Sequence, residues 1–167
     1  IEDKVRNYHR TDATGHDWWH VSRVRKNALK IAAREGGDPF IISLAALLHD
    51  VGDHKFTDGD EEKGWSVAES WLREEQLDGG SVERVLFICR NVSFKGGTNH
   101  TQLPLEGKIV QDADRLDAIG ALGIARAFAY GGYKGRPIYD PESVLVEYES
   151  YEQYVKTESP SINHFYE

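Results

Sequence analysis

Two histidines and two aspartates are the side chains of this sequence whose type and position suit metal or acid–base chemistry. His20 borders the apolar face of one stretch, His49 and Asp50 end the most apolar stretch, and Asp114 lies among apolar residues further on. A carboxylate next to apolar surface is costly unless it is compensated. The four groups are therefore either paired with bases or bound to a metal. Two imidazoles and two carboxylates suit a divalent first-row ion, which activates water and neutralises phosphoryl charge.

The stretches that carry these residues have the apolar spacing of helices. Val21, Val24, Ala28 and Ile31 follow steps of three and four, which predicts a helix over residues 17–34. Apolar periodicity, bounded by Asp or Ser before and Gly after, predicts further helices. They cover residues 40–50, 60–76, a stretch from 81 onward, 105–130 and 140–156.

The chain has 167 residues, which is the length of one domain, and it contains neither an internal repeat nor a linker-like tract. Helices joined by short connections predict an all-α fold, a compact helical bundle of five to seven helices over residues 1–167. Residues 40–50 are apolar on most sides, so this helix is expected at the centre.

Three segments together resemble the HD superfamily of metal-dependent phosphohydrolases: residues 16–24, 47–53 and 112–118. In this order they supply the H…HD…D pattern of that superfamily. The resemblance implies an HD-type bundle in which His20, His49, Asp50 and Asp114 bind one divalent metal ion. Mn is favoured, with Fe, Co, Ni, Zn or Mg as alternatives, because histidine and aspartate accept several of these ions.

Residues 107–117 and 126–132 look like those of the small single-domain bacterial branch, some members of which are nucleoside triphosphate pyrophosphohydrolases. The resemblance therefore implies hydrolysis of a small phosphorylated substrate, a nucleotide, with a metal-activated water as the nucleophile. The alternative is a non-catalytic regulatory domain that binds metal or nucleotide. A third interpretation is an interaction protein whose four residues form salt bridges; a protein without affinity for Mn would support it.

The substrate side of the site is predicted from residues close to the metal pattern, that is, His20, His49, Asp50 and Asp114. Asp53 and His54 follow the His49–Asp50 pair, so either could move a proton to or from the reacting groups. Arg23 is one turn beyond His20, Lys55 lies shortly after the metal pair, and Lys95 opens a Gly-rich loop. These three cations are the predicted phosphate contacts.

Two further residues are predicted to lie near the ligands. Asp117 is one helical turn after Asp114, so it could hydrogen-bond a ligand histidine or contact a sugar hydroxyl. His16 is one turn before His20 and could face the entrance of the site.

Charge and composition limit the partners and the compartment. With 20 Lys and Arg against 28 Asp and Glu, the net charge of −8 disfavours long nucleic acid and anionic membranes. A lone Cys89 fits a reducing compartment, and no apolar signal segment is present, so we expect a cytoplasmic protein. The chain contains no Met, so Ile1 is not expected to be the native start. The oligomeric state is left open, a homodimer included.

Overall fold

The protein is all-helical in the computed structural model, which describes residues 1–12, 15–52, 57, 60–94 and 98–166, with only the backbone at Val155. These residues form eight α-helices, a short 3-10 helix and no strand. The helices are α1 (Glu2–Tyr8), α2 (Trp18–Glu35), α3 (Pro39–Leu48), α4 (Glu61–Glu74), α5 (Gly79–Val92), α6 (Leu105–Asp117), α7 (Gly120–Tyr133) and α8 (Tyr151–Lys156), followed by the 3-10 helix Ser161–Phe165. The predicted all-α class is confirmed.

Aspartate side chains begin four of these helices. Asp17, Asp38, Asp60 and Asp78 each accept a hydrogen bond from a backbone N–H in the first turn of α2, α3, α4 and α5. Such caps satisfy N–H groups that have no partner within the helix. The cap of α5 is Asp78 rather than a residue at 81, so this helix begins earlier than predicted.

The core is built around α3, whose residues are apolar on nearly all sides. Seven of its ten residues are buried, and it packs against α1, α2, α5 and α6. The buried apolar residues of these helices form one continuous cluster. The last residue of α3 is followed directly by His49 and Asp50, so a buried helix at the centre of the core positions these two residues.

The predicted long helix over residues 105–130 is wrong, because it is two helices. α6 ends at Asp117, and α7 begins at Gly120, which has a φ of +72° that side-chain-bearing residues rarely adopt. The predicted helix over 140–156 is also shorter. Asp140 accepts a backbone hydrogen bond from Glu142 in a turn, and only Tyr151–Lys156 is helical. The extra break and the short helix α1 give more helices than the five to seven expected.

Helix α4 packs closely against Val51 and Gly52, the two residues that follow the His49–Asp50 pair. A Cβ on Gly64 would lie 2.4 Å from the carbonyl oxygen of Val51 and 2.6 Å from Cα of Gly52. The ring of Trp65 lies in turn where a Cβ on Gly52 would stand, 2.2 Å from that position. Only glycine allows the two segments to meet at this distance.

We therefore expect Gly64→Ala to destabilise the protein by about 1–3 kcal/mol, the usual cost of overpacking against groups that cannot move aside. Urea unfolding of the metal-free protein measures this change. Gly79→Ala at the start of α5 is the matched control, because a Cβ there meets nothing within 4 Å. Equal unfolding free energies for the two variants would show that α4 is not tightly packed against Val51 and Gly52.

Within the described residues, no helix has both the length and the hydropathy needed to cross a bilayer.

Candidate metal centre

His20 is held in a fixed orientation near the start of α2. Its backbone N–H donates to the carboxylate of Asp17 at 3.0 Å, which fixes the first turn of the helix. The side chain is fully buried, and its Nδ1 lies 2.8 Å from Oδ2 of Asp117 at the end of α6. Because an ionised carboxylate only accepts, Nδ1 carries the proton, and the lone pair of the neutral ring is on Nε2.

His49 is oriented in the same sense by the backbone of α3. Its Nδ1 lies 2.9 Å from the carbonyl oxygen of Ala46, a group that can only accept a hydrogen bond. The proton of the neutral ring is therefore on Nδ1, and the lone pair is again on Nε2. Helix α3 thus aims His49 into the same space that His20 enters from α2.

The two Nε2 atoms and two carboxylates converge on one point. Nε2 of His20 lies 3.3 Å from Nε2 of His49 and 3.2 Å from Oδ2 of Asp50. Oδ1 of Asp50 is 3.4 Å from Nε2 of His49. Oδ1 of Asp114 is 3.5 Å from Nε2 of His20 and 3.7 Å from Nε2 of His49. The four residues predicted from the sequence pattern therefore meet in space.

These atoms fit a divalent cation better than they fit one another. With both Nδ1 atoms used as donors, neutral His20 and His49 offer only lone pairs to each other and to the carboxylates. Oδ2 of Asp50 is buried and has no hydrogen-bond partner among the residues that the structure describes. Ligands about 2.1 Å from one ion lie about 3.0–3.4 Å apart in octahedral or tetrahedral geometry, close to the separations observed here. His20, His49 and Asp50 could hold such an ion, with Asp114 alongside.

Without a cation, the site attracts a proton. Burial lowers the pKa of His49, but the carboxylate charges of Asp50 and Asp114 outweigh it and raise this pKa to about 9. Burial also opposes ionisation of Asp50, yet the charges of His49 and His20 in the metal-free site keep its pKa well below the usual value. The pKa of Asp114 is lowered in the same way by His49.

This competition predicts the pH dependence of metal binding. An ion that enters must displace the proton of His49, so its affinity should fall about tenfold per pH unit below pH 9, or about 100-fold between pH 8 and pH 6. Calorimetric titration with Mn²⁺ in buffers of different ionisation enthalpy measures both the affinity and the proton release. An affinity that does not change between pH 6 and pH 8 would contradict the arrangement.

The stability of the metal-free protein should change with pH in the same range. The pKa of His49 in the folded state exceeds that of an unfolded histidine, so folding binds an extra proton between about pH 6.5 and pH 9. This contribution is complete below pH 6.5 and is lost as the pH rises to 9. Thermal unfolding should therefore show a loss of stability over this range, which saturating Mn²⁺ removes.

Asp117 connects the metal pattern to two arginines. Oδ1 accepts from Nε of Arg23 at 2.7 Å, and Oδ2 accepts from Nη2 of Arg23 and from Nη1 of Arg126, both at 3.0 Å. Burial opposes ionisation of this carboxylate, but the hydrogen bonds from His20 and Arg23 hold its pKa well below the usual value. Asp117 thus stays charged and fixes the ring of His20, one of the two roles expected for it.

The remaining predicted residues have different outcomes. Asp53, His54, Lys55 and Lys95 lie outside the described residues, so their roles stay predictions. The ring of His16 is in edge contact with that of His20, at 5.7 Å between centroids, which places it beside the centre.

Arg126 is the contact that the sequence analysis did not assign. It is nine residues after Asp117 on a different helix. Both positions lie in the segments that resemble the bacterial branch, but this resemblance gave Arg126 no role.

A family model, the HD domain, matches residues 18–119 of the chain. This span contains all four converging residues and covers more than half of the sequence. The chain therefore belongs to the HD-domain family.

Known structures support the same assignment. A Lactobacillus plantarum protein superposes with a TM-score of 0.90 at 36% identity, over 99% of this chain and 76% of that one. An HD-superfamily hydrolase from Bacillus thuringiensis has a TM-score of 0.68 at 43% identity, over 99% of this chain and 74% of that one.

A third relative is YpgQ of Bacillus subtilis, whose own function is uncharacterized. It is 44% identical over 135 residues, which are 78% of this chain and 64% of YpgQ. The present chain thus spans less than two thirds of the length of that relative. A crystal structure of YpgQ in complex with ADP has a TM-score of 0.67 at 36% identity, over 93% of this chain and 79% of that one.

Proposed function

We propose that this protein is a divalent-metal-dependent phosphohydrolase in which His20, His49, Asp50 and Asp114 bind the metal. The observation that carries the proposal is the convergence of lone pairs. Two Nε2 atoms whose rings are fixed by hydrogen bonds at Nδ1 face the carboxylates within 3.2–3.7 Å. One carboxylate oxygen in this group is buried and has no hydrogen-bond partner within the described part of the chain.

The charge of the ligand set suits a phosphate-bearing substrate. A bound divalent ion lowers the pKa of a water and neutralises charge on a phosphoryl group. Asp50 and Asp114 balance the charge of such an ion when both histidines are neutral. In a protein of net charge −8, the metal-free site should repel phosphates, so substrate binding is expected to depend on the metal.

The substrate that we favour is a nucleotide. The complex of YpgQ with ADP shows that a relative accepts a nucleotide, and the resemblance to nucleoside triphosphate pyrophosphohydrolases supports cleavage of a phosphoanhydride. Arg23 retains solvent exposure near the centre and is proposed to contact phosphate, with Lys55 and Lys95 as further contacts. Asp53 and His54 are the proposed acid–base residues, and Mn²⁺ is the favoured ion.

A nucleotide panel with the full chain tests the proposal. The protein is loaded with Mn²⁺ and incubated with nucleoside mono-, di- and triphosphates, and released orthophosphate and diphosphate are measured separately. We expect Mn-dependent release of diphosphate from triphosphates. Release of orthophosphate from monophosphates would instead identify a monoesterase. Binding of Mn²⁺ and nucleotide without any turnover would favour the non-catalytic regulatory domain.

A further inference from the structure

Two guanidinium groups share one carboxylate beside the candidate metal centre. Asp117 accepts two hydrogen bonds from Arg23, one from the side chain of Arg126 and one from Nδ1 of His20. Three of these donors point to Oδ2 and one to Oδ1, and their number matches the roughly four lone-pair sites of a carboxylate. Neither arginine has used its own capacity, because each guanidinium carries five N–H donors.

The unused donors are accompanied by an unbalanced positive charge. Asp117 can neutralise one guanidinium, so the pair keeps about one positive charge in excess at this point. Among the described residues, Nη1 of Arg23 and Nη2 of Arg126 have no hydrogen-bond partner, and Nε of Arg126 is buried without one. Donors and charge of this kind are what an anionic oxygen requires.

Packing holds Arg126 in place before any ligand binds. Its side chain passes beneath Gly15, where a Cβ would stand 2.6 Å from Cγ of the arginine. Gly15 also has a φ of +91°, so both the backbone and the space at this position require glycine. The guanidinium is thus fixed between the segment that leads into α2 and the end of α6, and 15% of the side chain stays exposed.

The arginine pair lies on the same side of the fold as the metal pattern. His20 and Arg23 are three residues apart on α2, and Asp114 and Asp117 are three residues apart on α6, so each pair shares one helix face. Helices α2 and α6 pack against each other, and Asp114 and Arg23 are both part-exposed. A chain of linked phosphates could therefore reach from one group to the other.

We propose that Arg23 and Arg126 form a second phosphate subsite, which binds a phosphate linked to the one at the metal centre. The ligand class is an anion with at least two linked phosphates, such as a nucleoside di- or triphosphate or inorganic triphosphate. Arg126 is the new residue in this assignment. The inference deepens the proposed function and rests on it for the presence of a phosphate at the metal centre.

Equilibrium binding of inorganic triphosphate and inorganic orthophosphate tests the subsite. Both are titrated into the Mn-loaded full chain at a fixed concentration of free Mn²⁺, for the parent protein, Arg126→Gln and Arg126→Lys. Loss of charged hydrogen bonds in Arg126→Gln should weaken triphosphate binding about tenfold or more. Orthophosphate and Mn²⁺ affinities should stay within about twofold, and Arg126→Lys should recover part of the loss, because it keeps the charge.

Arg115→Gln is the matched control, since Arg115 is exposed on α6 and lines a groove with Lys108 and Ile31 away from Asp117. It removes the same charge and should leave triphosphate binding unchanged. Unchanged binding in Arg126→Gln would overturn the subsite. An equal loss of affinity for triphosphate, orthophosphate and Mn²⁺ in Arg126→Gln would also overturn the subsite, since Arg126 would then only position Asp117. Absence of turnover in the parent protein would refute the proposed hydrolysis. The difference between triphosphate and orthophosphate affinity in the Arg126 variants would still decide whether the subsite exists.

Discussion

Asp50→Ala should abolish metal retention and lower hydrolysis of the preferred phosphate substrate by at least about 10³-fold. This is beyond the 10–100-fold effect of residues that only orient ligands. Asp50 supplies the buried oxygen that has no hydrogen-bond partner among the described residues, and both of its oxygens face histidine Nε2 atoms. Without this carboxylate, two neutral imidazoles and the part-exposed Asp114 are left to bind the ion.

The fold itself should survive this change. Among the described residues, the carboxylate of Asp50 pairs with His20 and His49, and a smaller side chain removes a buried charge rather than adding strain. Circular dichroism should therefore show an unchanged helix content. Mn²⁺ at 100 times the dissociation constant should stabilise the parent protein by about 2.7 kcal/mol, a rise of about 5–11 °C in Tm. Asp50→Ala should show no such rise.

Asp112→Ala is the control for this experiment. Asp112 is exposed on α6, two residues before Asp114, and lines the groove on the opposite side. Its removal changes the net charge by the same amount and should leave the affinity for Mn²⁺ and the turnover unchanged. Hydrolysis by Asp50→Ala at the parent rate would refute the metal assignment.

Asp117→Asn should reduce metal affinity and turnover by about 10–100-fold, the range for groups that hold a ligand histidine in place. The amide keeps the shape of the side chain but loses its charge. The proton of His20 is then no longer held on Nδ1 by a carboxylate at 2.8 Å, so less of the ring presents a lone pair at Nε2. Arg23 and Arg126 also lose their counter-charge and repel a cation nearby.

Two measurements separate this effect from general destabilisation. The dissociation constant for Mn²⁺ should rise in Asp117→Asn at pH 8. Asp112→Asn is the control, and both its unfolding free energy and its Mn²⁺ affinity should match those of the parent protein. Saturating Mn²⁺ should restore part of the turnover of Asp117→Asn, because the ligands themselves are intact. A Mn²⁺ affinity within about twofold of the parent value would show that Asp117 does not support His20.

Local sequence signals predicted the bounds of α2 and α3, which carry His20 and lead to His49 and Asp50, to within a few residues. α2 and α3 begin at Asp caps, and α3 has Pro at its first position, so both starts are encoded by neighbouring residues. The convergence of His20 with the His49–Asp50 pair agrees with the order of the family pattern. Its geometry depends on the packing of α2, α3 and α6, which no local pattern describes.

The main error was the missed break between α6 and α7. The apolar stretch after Leu116 suggested that one helix continues through it, yet the chain forms a second helix whose buried residues are Gly123 and Gly131. The break before α7 depends on the backbone conformation of Gly120, and a single glycine within an apolar stretch does not reveal its φ. The role of Arg126 was not predicted, because its partner Asp117 is on another helix and the residue it packs against, Gly15, is distant in sequence.

One divalent ion bound by His20, His49, Asp50 and Asp114 is proposed to support phosphate hydrolysis. The most direct test titrates Mn²⁺ into the metal-free full chain, with bound Mn²⁺ per chain and hydrolysis of a nucleoside triphosphate measured at each point. We predict saturation at one ion per chain, with activity rising in proportion to the bound ion and absent from the metal-free protein. Hydrolysis that is independent of bound Mn²⁺, or no binding of Mn²⁺ at millimolar concentration, would contradict the claim.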